Sequence, residues 1–160
     1  MTQGQYRRNV CAVLTGDGRE QVLVFRRVDA TDSDYQWQFP QGGLKAREAP
    51  ETGLRRELRE EIGTDRVAVE CALPEPIVYR YPPDVLAALR DADPHKARYA
   101  GQAQYWFLAR LLVDTERIRF EHQPAEFDAY RWVTPAEAVR LVVPFKREAY
   151  RRALTALGLL

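Results

Sequence analysis

A chain of 160 residues with 46% apolar and 29% charged residues is long enough to bury a core without disulfides and has the balance of an ordinary globular protein. Its formal net charge of +1 argues against the basic excess with which proteins hold duplex DNA or an anionic membrane. No run approaches the roughly 20 apolar residues of a membrane span, so neither membrane nor duplex DNA is an expected partner.

Asn9 to Leu14 has the apolar character of a strand, and Gly16-Asp17-Gly18 is a turn signal, so Gln21 to Phe25 reads as the returning arm of a hairpin. Cys11 and Cys71 sit in apolar, strand-like surroundings and read as buried, reduced thiols. Two cysteines and two histidines give no zinc-ligand spacing. The polar start, Met1 to Val10, lacks the apolar segment of a signal peptide, which points to the cytoplasm. Ala30 to Tyr35 is loop-like, and Trp37 to Pro40 reads as a short strand ended by its proline.

Gln41-Gly42-Gly43 reads as a glycine-rich loop leading into a helix. Pro50 suits the first turn of that helix, Glu51 its positive end, and Gly63 its stop. Leu54, Leu58 and Ile62 recur every four residues as its buried stripe. Val67 to Leu73, Ile77 to Tyr81 and Gln104 to Leu112 read as further strands, with one or two helical turns between Pro82 and Asp93 in a long mobile insertion. Tyr130 to Val133 is a last strand, and Pro135 to Leu141 and Lys146 to Leu159 are helices, the second weakened near Thr155 and Gly158. Nothing divides the chain, which reads as one α/β domain over 1–160.

Glu57, Glu60 and Glu61 stand at i, i+3 and i+4 of the helix, on one face. At about 100° per residue that face lies roughly 70° from the apolar stripe, on the helix flank. Like charges so spaced repel by roughly 0.2–0.5 kcal/mol per pair, and the last turn disfavours anions. A divalent cation offsets both penalties; magnesium, hard and at ease with phosphate, suits best. The same face also fits a solvated, ion-paired surface, with Glu51 and Arg55, and Arg56 and Glu60, at i, i+4. The helix by itself leaves both readings open.

Its surroundings decide between them. Gly42-Gly43-Leu44-Lys45-Ala46-Arg47-Glu48, followed by Arg56-Glu57-Leu58-Arg59-Glu60-Glu61-Ile62-Gly63, resembles the Nudix box. That pattern reads Gly, five residues, Glu, seven residues, Arg-Glu, an apolar residue, any residue, Glu-Glu, any residue, Gly, and an apolar residue. Its fixed identities coincide by chance on the order of once in 10⁸ starts. Thr64 is the one departure, standing where the pattern has an aliphatic residue. The resemblance implies a Nudix-type α/β/α sandwich with a mixed β-sheet and a loop–helix–loop catalytic box. It also implies a magnesium-dependent hydrolase, with manganese as a substitute. Glu57, Glu60 and Glu61 would be metal ligands together with the Gly42 carbonyl, and Arg56 and Glu48 a brace that orients the acids.

The likeness continues through Tyr6 to Val10, Trp37 to Gly43, Gly101-Gln102, Trp106-Phe107, Glu126 to Asp128, Arg131 to Val133 and Phe145 to Arg152. Together these are similar to the branch that holds bacterial RNA pyrophosphohydrolases and dinucleoside polyphosphate hydrolases. Glu126, in a loop before the last strand, would be a further ligand or the base; Glu57 is the other candidate base. Arg7, Arg27 and Lys146 would meet the phosphates, Phe145 and Tyr79 would offer stacking surfaces to a base, and Gln41 would be a polar contact, with Gln104 beside it. Arg8, Arg26 and Arg147 fit either phosphate contact or solvated charge. Trp37, Phe39, Trp106 and Trp132 belong to the core or pocket wall. Removal of pyrophosphate, or of phosphate stepwise, from the 5′-triphosphate or diphosphate end of RNA is the leading reading. Hydrolysis of a small dinucleoside polyphosphate is the alternative, and a non-catalytic nucleotide sensor a third.

Overall fold

The computed structural model describes residues 5–29 and 34–160. The expected loop over Ala30 to Tyr35 therefore lies largely outside the described residues. The strands are β1 (Tyr6–Thr15), β2 (Val22–Arg27), β3 (Trp37–Gln38), β4 (Gln41–Gly43), β5 (Val67–Ala72), β6 (Ile77–Arg80), β7 (Gly101–Leu111) and β8 (Phe127–Val133). The helices are α1 (Pro50–Ile62), α2 (Pro83–Ala92), α3 (Pro135–Leu141) and α4 (Arg147–Ala156).

β1 and β7 pair in parallel from Tyr6 and Gly101 to Thr15 and Arg110, and every other pairing in the mixed sheet is antiparallel. Side chains alternate between the faces of a strand, so the unbroken apolar runs of β1 and β7 demand cover on both sides. Val10, Ala12, Leu14, Leu23, Phe25 and Phe107 pack with Leu54, Leu58 and Ile62 of α1. The alternate set, Cys11, Val13, Val22, Val24, Trp106 and Leu108, packs with Ala138 and Val139 of α3 and with Tyr150, Ala153 and Leu154 of α4. This is the expected α/β/α sandwich, and Phe39 and Trp106 lie wholly inside its second layer.

Helix α1 begins at Pro50 without a side-chain cap and ends at Gly63, whose φ of 77° is left-handed and whose N–H donates to the Arg59 carbonyl at 3.2 Å. A Cβ at Gly63 would stand 2.9 Å from that of Arg119, so both the turn and the packing select glycine.

Some elements depart from the sequence reading. Gln41–Gly43 is a strand, antiparallel to Asn9–Cys11. β2 meets β1 only at Leu14 and Thr15, which leaves the backbone of Asn9–Cys11 in need of a partner, and the glycines supply it. β1 and β7 begin earlier than expected because Arg7 and Arg8 pair with Gln102 and Ala103, although Arg7, Arg8 and Gln102 break the apolar pattern. α2 is a full ten-residue helix with no buried residue. Lys146 precedes α4, closing a 3-10 turn from Pro144, and α4 ends at Ala156. Cys11 is buried but Cys71 only half-buried, and both are free thiols. Among the described residues no helix is long and apolar enough to cross a membrane.

Candidate active site

A cleft of about 390 Å³ opens between the edge of the sheet and α1. Nine of the eleven predicted site residues line it: Arg7 from β1, Arg27 from β2, Gln41 and Gly42 from β4, Glu57, Glu60 and Glu61 from α1, Glu126 from the turn before β8, and Lys146 from the turn before α4. Residues more than a hundred positions apart are thus brought to one place by the strand order.

The three helix acids differ in depth. Glu61 is 6% exposed, whereas the side chains of Glu57 and Glu60 are 14% and 38% exposed. At about 100° per residue they stand roughly 20°, 60° and 120° from Leu54 in the order Glu61, Glu57, Glu60. One face thus becomes a graded wall, with Glu61 in the core where a flank position was expected. Glu61 Oε2 has no hydrogen-bond partner. Burial, reinforced by the charges of Glu57 and Glu126, raises the Glu61 carboxyl well above the ordinary range. Burial raises that of Glu57 too, against the pull of Arg56. Gly42 lies against this wall, where a Cβ would overlap the Glu57 carboxylate. Gly43 does the same for Arg7, whose guanidinium fills the space of its missing side chain.

Arg56 ties the loop to the helix. Its Nε and Nη2 donate to the two carboxylate oxygens of Glu48 at 2.9 and 2.8 Å, and Nη2 also donates to the Gly43 carbonyl at 3.0 Å. Nη1 donates to Glu57 at 2.8 Å and stands 3.5 Å from Glu60. The guanidinium and the Lys45 N–H hold the Glu48 carboxyl down to about 2. The fork is the expected brace, and Glu51–Arg55 at 3.4 Å forms the solvated pair also foreseen.

The opposite wall is cationic. Lys146 is 6% exposed, and burial, with the charge of Arg27 beside it, lowers its ammonium to about 8. A register shift between Arg26 and Arg27 interrupts the β2–β8 ladder, and the Glu126 carbonyl accepts from Val28 N–H at 3.1 Å. This irregularity sets Glu126 beside Arg27 at the cleft. Arg26 instead pairs in the open with Asp128 at 2.7 Å. Arg147 donates to the Arg140 carbonyl at 3.0 Å and lies over the Tyr35 ring, and neither lines the cleft.

Tyr79 and Phe145 do not line it either. Tyr79 is 8% exposed, its ring packed against Tyr81 and Phe145, and its hydroxyl donates to Gln102 at 2.8 Å. It is a core residue with no face free for a base. Phe145 is half-buried against the same cluster. Tyr81, two residues on, reaches the cleft instead, while Tyr79 is held inside by Gln102, its partner in the β6–β7 register. Asn9, Gln38 and Gln102, which the sequence reading placed in the family likeness but not among the site residues, also line the cleft. Gln104 beneath them donates to Gln41 at 2.8 Å and Asn9 at 3.1 Å. The signal for this polar floor was the alternation of Gln102 and Gln104 in an apolar strand. Among the described residues no three acidic, imidazole or thiol groups stand together closely enough to hold a metal ion as they are placed; the acids are arrayed along the wall, with Arg56 between Glu57 and Glu60.

Residues 5–153 match the family model described as NUDIX domain. The chain is 43% identical over 149 residues to an RNA pyrophosphohydrolase of Acidiphilium cryptum, covering 92% of this chain and 87% of that protein. It is 41% identical over 156 residues to an RNA pyrophosphohydrolase of Saccharophagus degradans, covering 96% and 86%. Among solved structures it is similar to the E. coli dihydroneopterin triphosphate pyrophosphohydrolase, with a TM-score of 0.62 at 21% identity over 94% of this chain and 98% of that one. A C. elegans Ap4A hydrolase complex matches with a TM-score of 0.61 at 14% identity over 95% and 98%. At these identities the structures share the fold.

Proposed function

Because the chain belongs to the NUDIX family, we propose that it is a cytoplasmic RNA pyrophosphohydrolase, removing pyrophosphate, or phosphate stepwise, from the triphosphorylated or diphosphorylated 5′ end of RNA. Relatives bearing that name match nearly the whole of both chains. The observation that carries the chemistry is a single cleft in which Glu57, Glu60, Glu61 and Glu126 face Arg7, Arg27 and Lys146.

The donor set fits a hard divalent cation, magnesium or manganese in its place. Glu61 Oε2 is buried without a partner, and Glu57 and Glu61 crowd together with carboxyls raised by burial. Glu57, Glu60, Glu61 and Glu126, with the Gly42 carbonyl, would hold it. When bound, such an ion neutralises charge on phosphate oxygens and acidifies water.

Arg7, Arg27 and Lys146 bind the phosphates and stabilise the charge that gathers on the departing pyrophosphate. Lys146 comes to this task already stripped of solvent, so its charge acts at full strength on a phosphate oxygen. Glu57 or Glu126 accepts the proton of the attacking water as it displaces pyrophosphate in line. Arg56 acts through Glu57, fixing the carboxylate that faces the substrate, and Gln41 and the polar floor orient the nucleoside end.

The deciding experiment is product analysis by mass on triphosphorylated RNA with magnesium, beside diadenosine tetraphosphate at equal concentration. Monophosphorylated RNA and pyrophosphate are the expected products. Rapid cleavage of the dinucleotide with no RNA product would overturn the substrate.

A further inference from the structure

A second cavity, of about 470 Å³, opens where β1, the loop into α1 and the turn after α2 meet. Arg7, Arg8, Lys45, Lys96 and Arg98 line it, with Asp93 the one carboxylate residue beside them. The chain as a whole carries 24 Lys and Arg against 23 Asp and Glu, so this wall is sorted by charge. Among the described residues the one ion pair within 4 Å made by these five cations is Lys96 to Asp93 at 3.9 Å. Among the described residues the other four make no ion pair within 4 Å, and only Lys45 lies near enough to a carboxylate, that of Glu48, to help hold it down.

Two of the guanidinium groups lie on aromatic rings, Arg98 at 4.9 Å from the Tyr99 centroid and Arg8 at 5.7 Å from that of Tyr105. Tyr99 lines the cavity. Cations interleaved with aromatic faces are what a single-stranded nucleic acid needs, the cations for its phosphates and the rings for its bases. Arg7 and Lys96 also line the acid-walled cleft, so the two cavities meet along a shared edge.

We propose that this second cavity is the track for the RNA strand that follows the reacting 5′ end, with Arg8, Lys45 and Arg98 holding the backbone phosphates of the next nucleotides. The inference rests on reading the cleft as that of an RNA pyrophosphohydrolase. A dinucleoside polyphosphate ends at its second nucleoside and leaves these cations unused; a polynucleotide carries a further phosphate at every step.

The test uses the Lys45→Gln, Arg98→Gln double variant, whose exposed cations lie outside the acid-walled cleft. Its substrates are a triphosphorylated dinucleotide and a triphosphorylated RNA of about twenty nucleotides, long enough to fill a single-strand site. The expected result is a KM for the long RNA raised about tenfold with kcat unchanged, and dinucleotide turnover unchanged, which also shows that the variant folds. The salt dependence of long-RNA binding should become shallower by about 1.4 in log–log slope, from about 0.7 per lost phosphate contact. A 5′-hydroxyl RNA of the same length should inhibit the wild type and lose potency against the variant. An unchanged KM for the long RNA, or an equal loss on both substrates, overturns the track while leaving the RNA activity standing. A wild type that cleaves diadenosine tetraphosphate but neither RNA overturns the RNA reading and the track with it.

Discussion

The carboxylate of Glu57 occupies the space that a Cβ on Gly42 would need. A helix acid and a strand backbone are thereby closed together at the cleft, and one added methyl group would separate them. Gly42→Ala is expected to keep the sandwich, because the α1 stripe of Leu54, Leu58 and Ile62 is untouched, but to displace Glu57. Activity should fall on the order of 10–100-fold, the usual cost of disturbing the support of a metal ligand. Circular dichroism and steady-state kinetics check this; wild-type kcat in Gly42→Ala would show that the close approach is packing alone.

Glu61 separates stability from function. A carboxyl whose folded pKa is raised binds its proton more readily in the folded state, so folding stability falls as pH rises from the ordinary carboxylate range through the raised value. At neutral pH, with no divalent cation, its charge is a burden. Glu61→Gln should therefore raise stability in chelator by about 1–2 kcal/mol, a gain of several degrees in Tm for a chain of this size. The stabilisation that magnesium gives the wild type should vanish in the variant. Thermal melts with chelator and with magnesium read both effects, and a Glu61→Gln protein still stabilised by magnesium as strongly as the wild type would remove Glu61 from the ligand set.

The Arg56–Glu48 fork makes the opposite prediction for pH. The Glu48 carboxyl is held down to about 2, so its contribution is complete above the ordinary carboxylate range and is lost as pH falls toward that value. Glu48→Gln should cost about 2 kcal/mol at pH 7, allowing for partial solvent screening. The gap to wild type should close in acid. Denaturant melts across pH 2–7 follow the gap, and a constant difference would mean that Gln merely packs badly.

The acid helix was legible because the box fixes identities as well as spacing, and Pro50 and Gly63 punctuate it. The depth of its acids was not, since one average direction stood for three positions with very different angles to Leu54. β4 was hidden for another reason: two glycines carry little strand propensity, and what makes them a strand is the unmet backbone of Asn9–Cys11. Tyr79 read as a stacking surface because an aromatic in a strand does not reveal whether its face is open, and only the register with Gln102 and the packing of its ring show that it is enclosed. Thr134 and Glu137 form a capping box at α3, a pattern readable in the sequence that Pro135 overshadowed.

Lys146 should show function placed at the expense of stability. Its ammonium is buried and lowered to about 8, so at pH 7 the folded protein carries a charge that the unfolded chain holds more cheaply. The sign follows from linkage: between about 8 and the ordinary lysine value the folded state has shed a proton that the unfolded state keeps, so stability rises with pH across that window. Lys146→Met, similar in volume and uncharged, should be more stable than wild type at pH 7 by about 2 kcal/mol. That advantage should shrink as pH climbs from about 8 toward 10. The same variant should lose pyrophosphate release from triphosphorylated RNA, by at least tenfold in kcat/KM, about 1.4 kcal/mol of phosphate binding in the transition state. Denaturant melts at pH 7 and pH 10, paired with turnover at pH 7, decide it. A destabilised Lys146→Met at pH 7 would mean that Asp29 and Glu126 beside it already satisfy the charge.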